Sequence, residues 1–385
     1  MWDFSWLCAS HPGGPFENLE HHIVEAVERG YNTLRVDCFP SRILESESSF
    51  QKNWDPKVNV PQWGQRAISF TCNVRKKVAE LATLCRKHGM WLGLDSWDKP
   101  HMFGNDNVIA EADEEREFTR YGRIWAEALK LMREDGVLEQ AVWIAPMNEV
   151  PHFCGRHLES ISKLHGKAPH QEDAIYRRVN GWMAAPIQAE VAHEKIPISY
   201  SSLGAENYGA RLTDDYDVVD VHFMPGVLSD AQDQKAFPGV PFGIGFPGGN
   251  IPIFSGQKPA SDPPKYDLPA FSRAWASACR RHYGAMLQRT RDYHQTQLTR
   301  LTLASGKKLD AIITEAFGPC FFPDHPEVSW EWYKRYNADS LRVIADLDFK
   351  GSSLSNYAEP LFTLWQDADW HWCGIRYLLD GWKKR

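Results

Sequence analysis

Eight short apolar runs, separated by amphipathic helical patterns, constrain this chain more than any other feature of its sequence. They fall at residues 2–7, 33–38, 90–95, 142–149, 197–201, 217–222, 311–314 and 352–357. Each is too short for a globular helix and nearly free of the apolar/polar alternation of a half-exposed strand, which is how strands buried in a parallel sheet read. Helical patterns lie between them, near 18–29, 72–88, 114–133, 173–195, 272–305 and 330–346, with a last one near 369–379. Some close on a glycine just before the next strand, as at Gly30 and Gly89. The alternation predicts an α/β fold whose parallel sheet closes on itself, a (β/α)8 TIM barrel with extended βα loops. A doubly wound open sheet is the competitor, but no Gly-x-Gly-x-x-Gly follows any of the runs.

A chain of 385 residues fits one such domain spanning 1–385. A Pro- and Gly-rich insertion at about 225–269 is too long for a simple connection and is expected to cover part of a substrate cleft. A second long loop carries Trp54 and Trp63. The formal charge of -7, with Lys and Arg scattered, gives no footprint for nucleic acid or an anionic membrane. No run of membrane-spanning length exists, and Met1 leads into Trp-Asp-Phe-Ser-Trp-Leu rather than a basic segment, so the expected location is cytoplasmic. The eight cysteines show no Cys-x-x-Cys, which predicts reduced thiols.

In a barrel, residues at the carboxyl ends of the strands share one mouth. The run at 142–149 stops on Asn148 and Glu149, and the run at 310–315 stops on Glu315. Two carboxylates so placed are the minimum equipment for glycoside hydrolysis. The other polar or aromatic strand-end residues are Arg35, Asp37, Asp95, Trp97, Tyr200, His222 and Asn356, read as substrate-binding. Sixteen tryptophans exceed what a core needs. Trp97, Trp365, Trp370 and Trp372 follow strands, where stacking on a sugar is as good a reading as loop packing, and Trp365 is placed in the substrate site. Trp91, Trp125, Trp143 and Trp182 are assigned to the core. Cys38 and Cys320 flank the mouth as wall residues. His21, His22 and His371 form no ligand set with carboxylates at metal spacing, so neither metal nor cofactor is expected.

Taken singly, Arg35 reads as well as a structural ion pair, and His222 is more often a core histidine than a catalytic one. Their order along the chain gives them more weight. Gly30-Tyr31-Asn32-Thr33-Leu34-Arg35, Asn148-Glu149 after the fourth run, His222 on the sixth and Glu315 on the seventh resemble the retaining (β/α)8 glycosidases of clan A, with the cellulase-like glycoside hydrolase family 5 as the best match. The resemblance implies that Glu149 is the general acid/base and Glu315 the nucleophile. It also implies that Asn148 binds the sugar 2-hydroxyl, that Arg35 keeps Glu315 ionised and that His222 sits beside Glu149. The sequence departs from the family at three places: Leu94-Asp95-Ser96-Trp97 where a His is usual, Met224 where a Tyr is usual, and a run at 352–357 without Trp.

The function expected is a retaining β-glycosidase that hydrolyses short β-linked oligosaccharides or glycosides, with the 225–269 insertion favouring exo cleavage. A non-catalytic sugar-binding protein on the same barrel, and a transglycosylase using the same carboxylates, are the alternatives.

Overall fold

The computed structural model describes residues 1, 7, 10–14, 16–52, 68–97, 108–150, 158–164, 168–202, 204, 206–223, 268–317, 326–356, 358, 360 and 362–383. Its first half runs α1 (Leu19–Glu28), β1 (Thr33–Asp37), α2 (Pro40–Ile43), β2 (Ser48–Lys52), β3 (Ile68–Cys72), α3 (Val74–Lys87), β4 (Trp91–Asp95), α4 (Glu114–Glu134) and β5 (Ala141–Ile144). The second runs α5 (Glu159–Leu164), α6 (Pro169–Val191), β6 (Ser199–Ser202), α7 (Tyr208–Arg211), β7 (Val218–Val221), α8 (Leu268–Leu298), β8 (Asp310–Ile313), α9 (Glu331–Ala345), β9 (Gly351–Ser352) and α10 (Ala368–Lys383).

Local chemistry sets the helix ends. Asn18 caps α1 by accepting the His21 backbone N–H at 3.0 Å. At its other end Gly30 takes φ +87, and Tyr31 N donates to Ala26 O across 3.0 Å, which turns the chain directly into β1.

The strands form two parallel sheets in chain order, β1-β4-β5 and β6-β7-β8-β9. Among the described residues a single parallel bridge, Ile144 to Ile198, joins them. Met1 lies along the other edge of β1, its ammonium donating to Thr33 O and its carbonyl accepting Arg35 N, each at 2.9 Å. This is the (β/α)8 barrel architecture, with seven of the eight expected strands among the described residues. Of the first expected run, residues 2–6 lie outside the described set, and Leu7 is helical and buried. The long insertion lies outside as well, at 224–267, together with Trp54, Trp63, Met224 and Cys320. The stretch expected as one long loop contains the antiparallel pair β2 and β3.

Within the strands, alternate residues face the helices: Leu34 and Val36, Leu92 and Leu94, Val219 and Val221, Ala311 and Ile313 are all at most 1% exposed. Arg35, Asp95, Asp220 and Thr314 take the other register and meet one another inside the ring. The runs are therefore apolar throughout on the helix side, while their inner faces carry charge near the mouth. Gly93 serves a different end, since a Cβ there would stand 2.1 Å from the Trp143 ring. Only a glycine on β4 lets that indole from β5 lie against the neighbouring strand.

No described helix is long and apolar enough to cross a membrane. Cys38, Cys72, Cys85, Cys279 and Cys373 carry free thiols, as expected of them.

Candidate active site

Arg35 is the hub of the mouth. Its guanidinium, 1% exposed, donates from Nε to Asp95 Oδ2 (2.6 Å), from Nη1 to Thr314 Oγ1 (2.8 Å) and Glu315 Oε1 (2.7 Å), and from Nη2 to Asn148 Oδ1 (2.5 Å). Asp220 Oδ2 lies 3.9 Å from Nε. The Trp97 ring covers the guanidinium, with its centroid 4.4 Å from Cζ. Burial works against the charge, but Asp95, Asp220 and Glu315 overcome it and hold Arg35 firmly protonated.

Asn148 and Glu149 follow β5 on a backbone that is pinned twice. Asn148 N donates to Ser96 O (3.0 Å), and Glu149 N donates to Ser201 Oγ (3.1 Å). Glu149 takes φ +49, the left-handed region that non-glycine residues seldom enter. Such a conformation points its side chain away from the strand direction and toward His222, whose Nδ1 is 2.9 Å from Glu149 Oε1. The same Nδ1 is 3.5 Å from Glu315 Oε2, and Nε2 is 3.2 Å from Asp220 Oδ2. His222 is buried, which disfavours its charge, yet Glu315, Asp220 and the bond to Glu149 raise its pKa to about 10.

Glu315 corrects one expectation. Arg35 does pull its pKa down, as does His222, but burial outweighs both and Glu149 adds to it, so the Glu315 carboxyl rises to about 7. Asp95 is raised to about 6, with burial winning over Arg35. Asp220 ends below the usual carboxylate range, because His222, Arg35 and Thr314 together overcome its burial.

The predicted residues separate into two groups. Arg35, Asp95, Trp97, Asn148, Glu149, His222 and Glu315 converge. Asp37 lies beside them as a clamp, accepting Phe39 N (3.0 Å) and Trp97 N (3.1 Å). Cys38 Sγ rests 3.2 Å from Asp95 O, in the wall. Asn356 is 1% exposed beyond β9, and neither end of its amide has a partner among the described residues.

Tyr200 points the other way, to Glu206 Oε2 (2.5 Å) and the rings of Tyr208 and Tyr216, because the inward position on β6 is Ser201. Trp365 is buried against α1 and α10, stacked on Tyr31 and donating to Glu25 Oε2 at 3.3 Å. Trp370 donates to Lys334 O, and Trp372 is largely exposed on α10.

Three residues of the cluster were not anticipated: Ser201, Asp220 and Thr314. Asp220 was within reach, as the one charged residue inside Val218-Val219-Asp220-Val221 and two positions from His222.

Among the described residues, two His/Glu groups bring ligand-type atoms within 4.8 Å of one another: His21, His22 and Glu25 on α1, and Glu149, His222 and Glu315 here. In the second group His222 Nδ1 faces Glu149 and its Nε2 faces Asp220.

Solved structures share this architecture. A "putative glycoside hydrolase" from Parabacteroides distasonis ATCC 8503 superposes with a TM-score of 0.69 at 20% identity, over 98% of this chain and 92% of the other. A glycoside hydrolase family 5 enzyme from Prevotella bryantii B14 gives 0.51 at 9% identity, over 95% and 90%. The tri-modular endo-beta-1,4-glucanase B of Bacillus halodurans gives 0.50 at 9% identity, over 93% of this chain and 55% of that one. These likenesses establish the fold. No curated protein matches the sequence. The family model described as "Cellulase-like: Sugar-binding cellulase-like" matches residues 1–246, well over half of the sequence, and the chain belongs to that cellulase-like family.

Proposed function

We propose that this protein is a retaining β-glycosidase acting on short β-linked oligosaccharides or glycosides. The observation that supports it most is the closeness of the two carboxyl groups, since oxygens of Glu149 and Glu315 lie within 4.8 Å of each other and of a His222 nitrogen. Retaining glycosidases hold their carboxyls about 5–5.5 Å apart, and inverting ones about 6.5–9.5 Å to leave room for water. Glu315, gripped by Arg35, attacks the anomeric carbon, and Glu149 delivers a proton to the departing oxygen. Asn148 is the ligand for the 2-hydroxyl. Asp37 and Asp95 hold Trp97 and Arg35 in place, Trp97 offers a stacking face, and the unpaired amide of Asn356 supplies a donor and an acceptor for sugar hydroxyls.

The test is a panel of aryl β-glucosides, β-mannosides, β-galactosides and β-xylosides, followed by a 2-deoxy-2-fluoro analogue of the accepted sugar. The expected result is a covalent adduct on Glu315 and no turnover by Glu315→Gln. Full activity in that variant, or a label on another residue, sinks the assignment. Product analysis with an acceptor sugar present separates hydrolysis from transglycosylation.

Binding without turnover is the second reading, favoured by the family's own description as sugar-binding. It predicts that wild type never cleaves a 2,4-dinitrophenyl glycoside, and that Glu149→Gln binds sugar as tightly as wild type.

A further inference from the structure

The donors and acceptors at the mouth fix one another in sequence, beginning from a group that can only donate. Arg35 donates to Asn148 Oδ1, so that atom is the amide oxygen and accepts. Ser201 Oγ, 2.9 Å from the same oxygen, must then spend its single proton there. What remains on Ser201 Oγ accepts, from Glu149 N and from His222 Nε2 at 3.4 Å. Asp220 Oδ2 reaches the same nitrogen from the other side, at 3.2 Å, and an ionised carboxylate also only accepts. Both partners therefore require a proton on Nε2.

That leaves Nδ1 to face Glu149 Oε1 at 2.9 Å. Whether written as a carboxylic acid bonded to a neutral imidazole or as a carboxylate bonded to an imidazolium, the pair holds one proton between these two atoms. The groups facing His222 are Glu149, Ser201, Asp220 and Glu315, with Tyr293 of α8 donating to its backbone oxygen at 3.2 Å and Arg35 behind Asp220. The net environment is anionic and retains that proton at neutral pH.

We infer that Asp220 is a positioning residue for the acid step: by holding the Nε2 proton of His222 it keeps the transferable proton between Nδ1 and Glu149. This rests on the glycosidase reading above. In the first half-reaction the bond from the anomeric carbon to the leaving oxygen breaks while one forms to a Glu315 oxygen. The Glu149–His222 pair gives one proton to that leaving oxygen, ending as a carboxylate beside an Nε2-protonated neutral imidazole. Water attacking the glycosyl-enzyme returns the proton to the pair.

Asp220→Asn tests this sharply, because its amide cannot choose its orientation. Asp220 Oδ1 accepts the Thr314 backbone N–H at 2.8 Å, so the amide oxygen must take that place and the NH2 must face His222 Nε2. The imidazole is then driven to the Nδ1-protonated form, which donates to an ionised Glu149 and withholds the acid's proton. A carboxylate-to-amide change beside a catalytic histidine acts through the tautomer in the same way in serine proteases.

The experiment compares wild type and Asp220→Asn on 2,4-dinitrophenyl and 4-methoxyphenyl β-glycosides of the sugar accepted in the panel. The first leaving group departs without protonation and the second needs it. The expected loss of kcat/KM on the methoxyphenyl substrate is about 10²–10⁴-fold, and at least about tenfold smaller on the dinitrophenyl substrate. Equal losses on both would mean a merely structural role and would overturn the inference. Nitrogen-15 NMR of histidine-labelled wild type, with His222 assigned by its absence in His222→Gln, reads the tautomer without any substrate. A protonated Nε2 supports the inference, and a neutral ring carrying its proton on Nδ1 refutes it even if Asp220→Asn fails to fold. If wild type cleaves neither glycoside, the glycosidase reading falls, while the NMR result still decides the tautomer.

Discussion

Arg35 on β1 reaches across the barrel to Glu315, just past β8, and donates to its Oε1 over 2.7 Å. The same guanidinium is bonded to Asp95 and faces Asp220, so it serves three buried carboxylates, two of which, Asp220 and Glu315, also face His222.

Replacing Arg35 therefore has two separable effects. Arg35→Met takes the guanidinium from Asp95 and leaves Asp220 and Glu315 facing His222, and urea denaturation is expected to show a loss of about 3–5 kcal/mol. Arg35→Lys keeps the charge but cannot span Asp95, Asn148 and Glu315 at once. Its loss of stability should be smaller, and its loss of kcat large. A Lys variant with wild-type kcat would deny Arg35 its role at Glu315.

The pH–rate profile follows from the raised carboxyl. In the proposed mechanism Glu315 must be ionised to attack, and burial raises its pKa to about 7, so kcat/KM is expected to fall as pH drops through neutrality. The Glu149–His222 pair gives up its proton only well above neutrality, with His222 near about 10. These are apparent values of a coupled set. The optimum should lie on the alkaline side of neutral, and one near pH 5 would contradict the burial argument.

Gly93 makes the barrel interior sensitive to one methyl group. In Gly93→Ala the Cβ meets the Trp143 indole at 2.1 Å, and forced repacking of that kind costs about 1–3 kcal/mol. Thermal unfolding should register it as a lowered Tm, and Trp143→Leu in the Gly93→Ala background should recover part of the loss. No change in Tm would mean that the ring has another place to go.

His371 predicts a loss of stability in acid. Tyr31 O–H donates to its Nδ1 at 2.7 Å and its Nε2 donates to Leu364 O at 3.1 Å, a pattern open only to the neutral ring. Burial lowers its pKa to about 3 from the ordinary 6.5. The unfolded chain takes up that proton first, so stability falls as pH drops below 6.5 and the loss is complete near 3, at up to about 1.4 kcal/mol per pH unit. His371→Gln should lose less Tm over this window than wild type does. Identical slopes in the two proteins would assign the acid loss to carboxylates alone.

Much of this arrangement was legible in the chain because strand ends and glycine caps are local signals. The runs at 33–38, 90–95 and 217–222 became β1, β4 and β7, and the polar residues that close them meet as barrel geometry requires. Tyr200 failed by one position: an alternating strand sends neighbours to opposite faces, and nothing local told Tyr200 from Ser201. Trp365 failed for another reason, because a loop's direction is set by what it packs against, here Tyr31 and Arg29 far away in sequence. The pairing of β2 with β3 escaped notice because residues 53–67 separate them in sequence, too many for a short-hairpin signal. The pKa of Glu315 was misjudged since burial depth, unlike the presence of Arg35, cannot be read from spacing.

The bridge between Ile144 and Ile198 has a consequence for the site as a whole. Arg35 and Asp95 belong to one sheet, and Ser201, Asp220, His222 and Glu315 belong to or follow the other; Asn148 and Glu149 hang at the junction. Every polar bond from Arg35 to Thr314 or Glu315, and from Ser201 to Asn148, is also a stitch across that thin seam. The chemistry and the closure of the two half-barrels are thus one event. A protein whose seam parts slightly would keep its helices and strands and yet lose the polar cluster that Arg35 holds together.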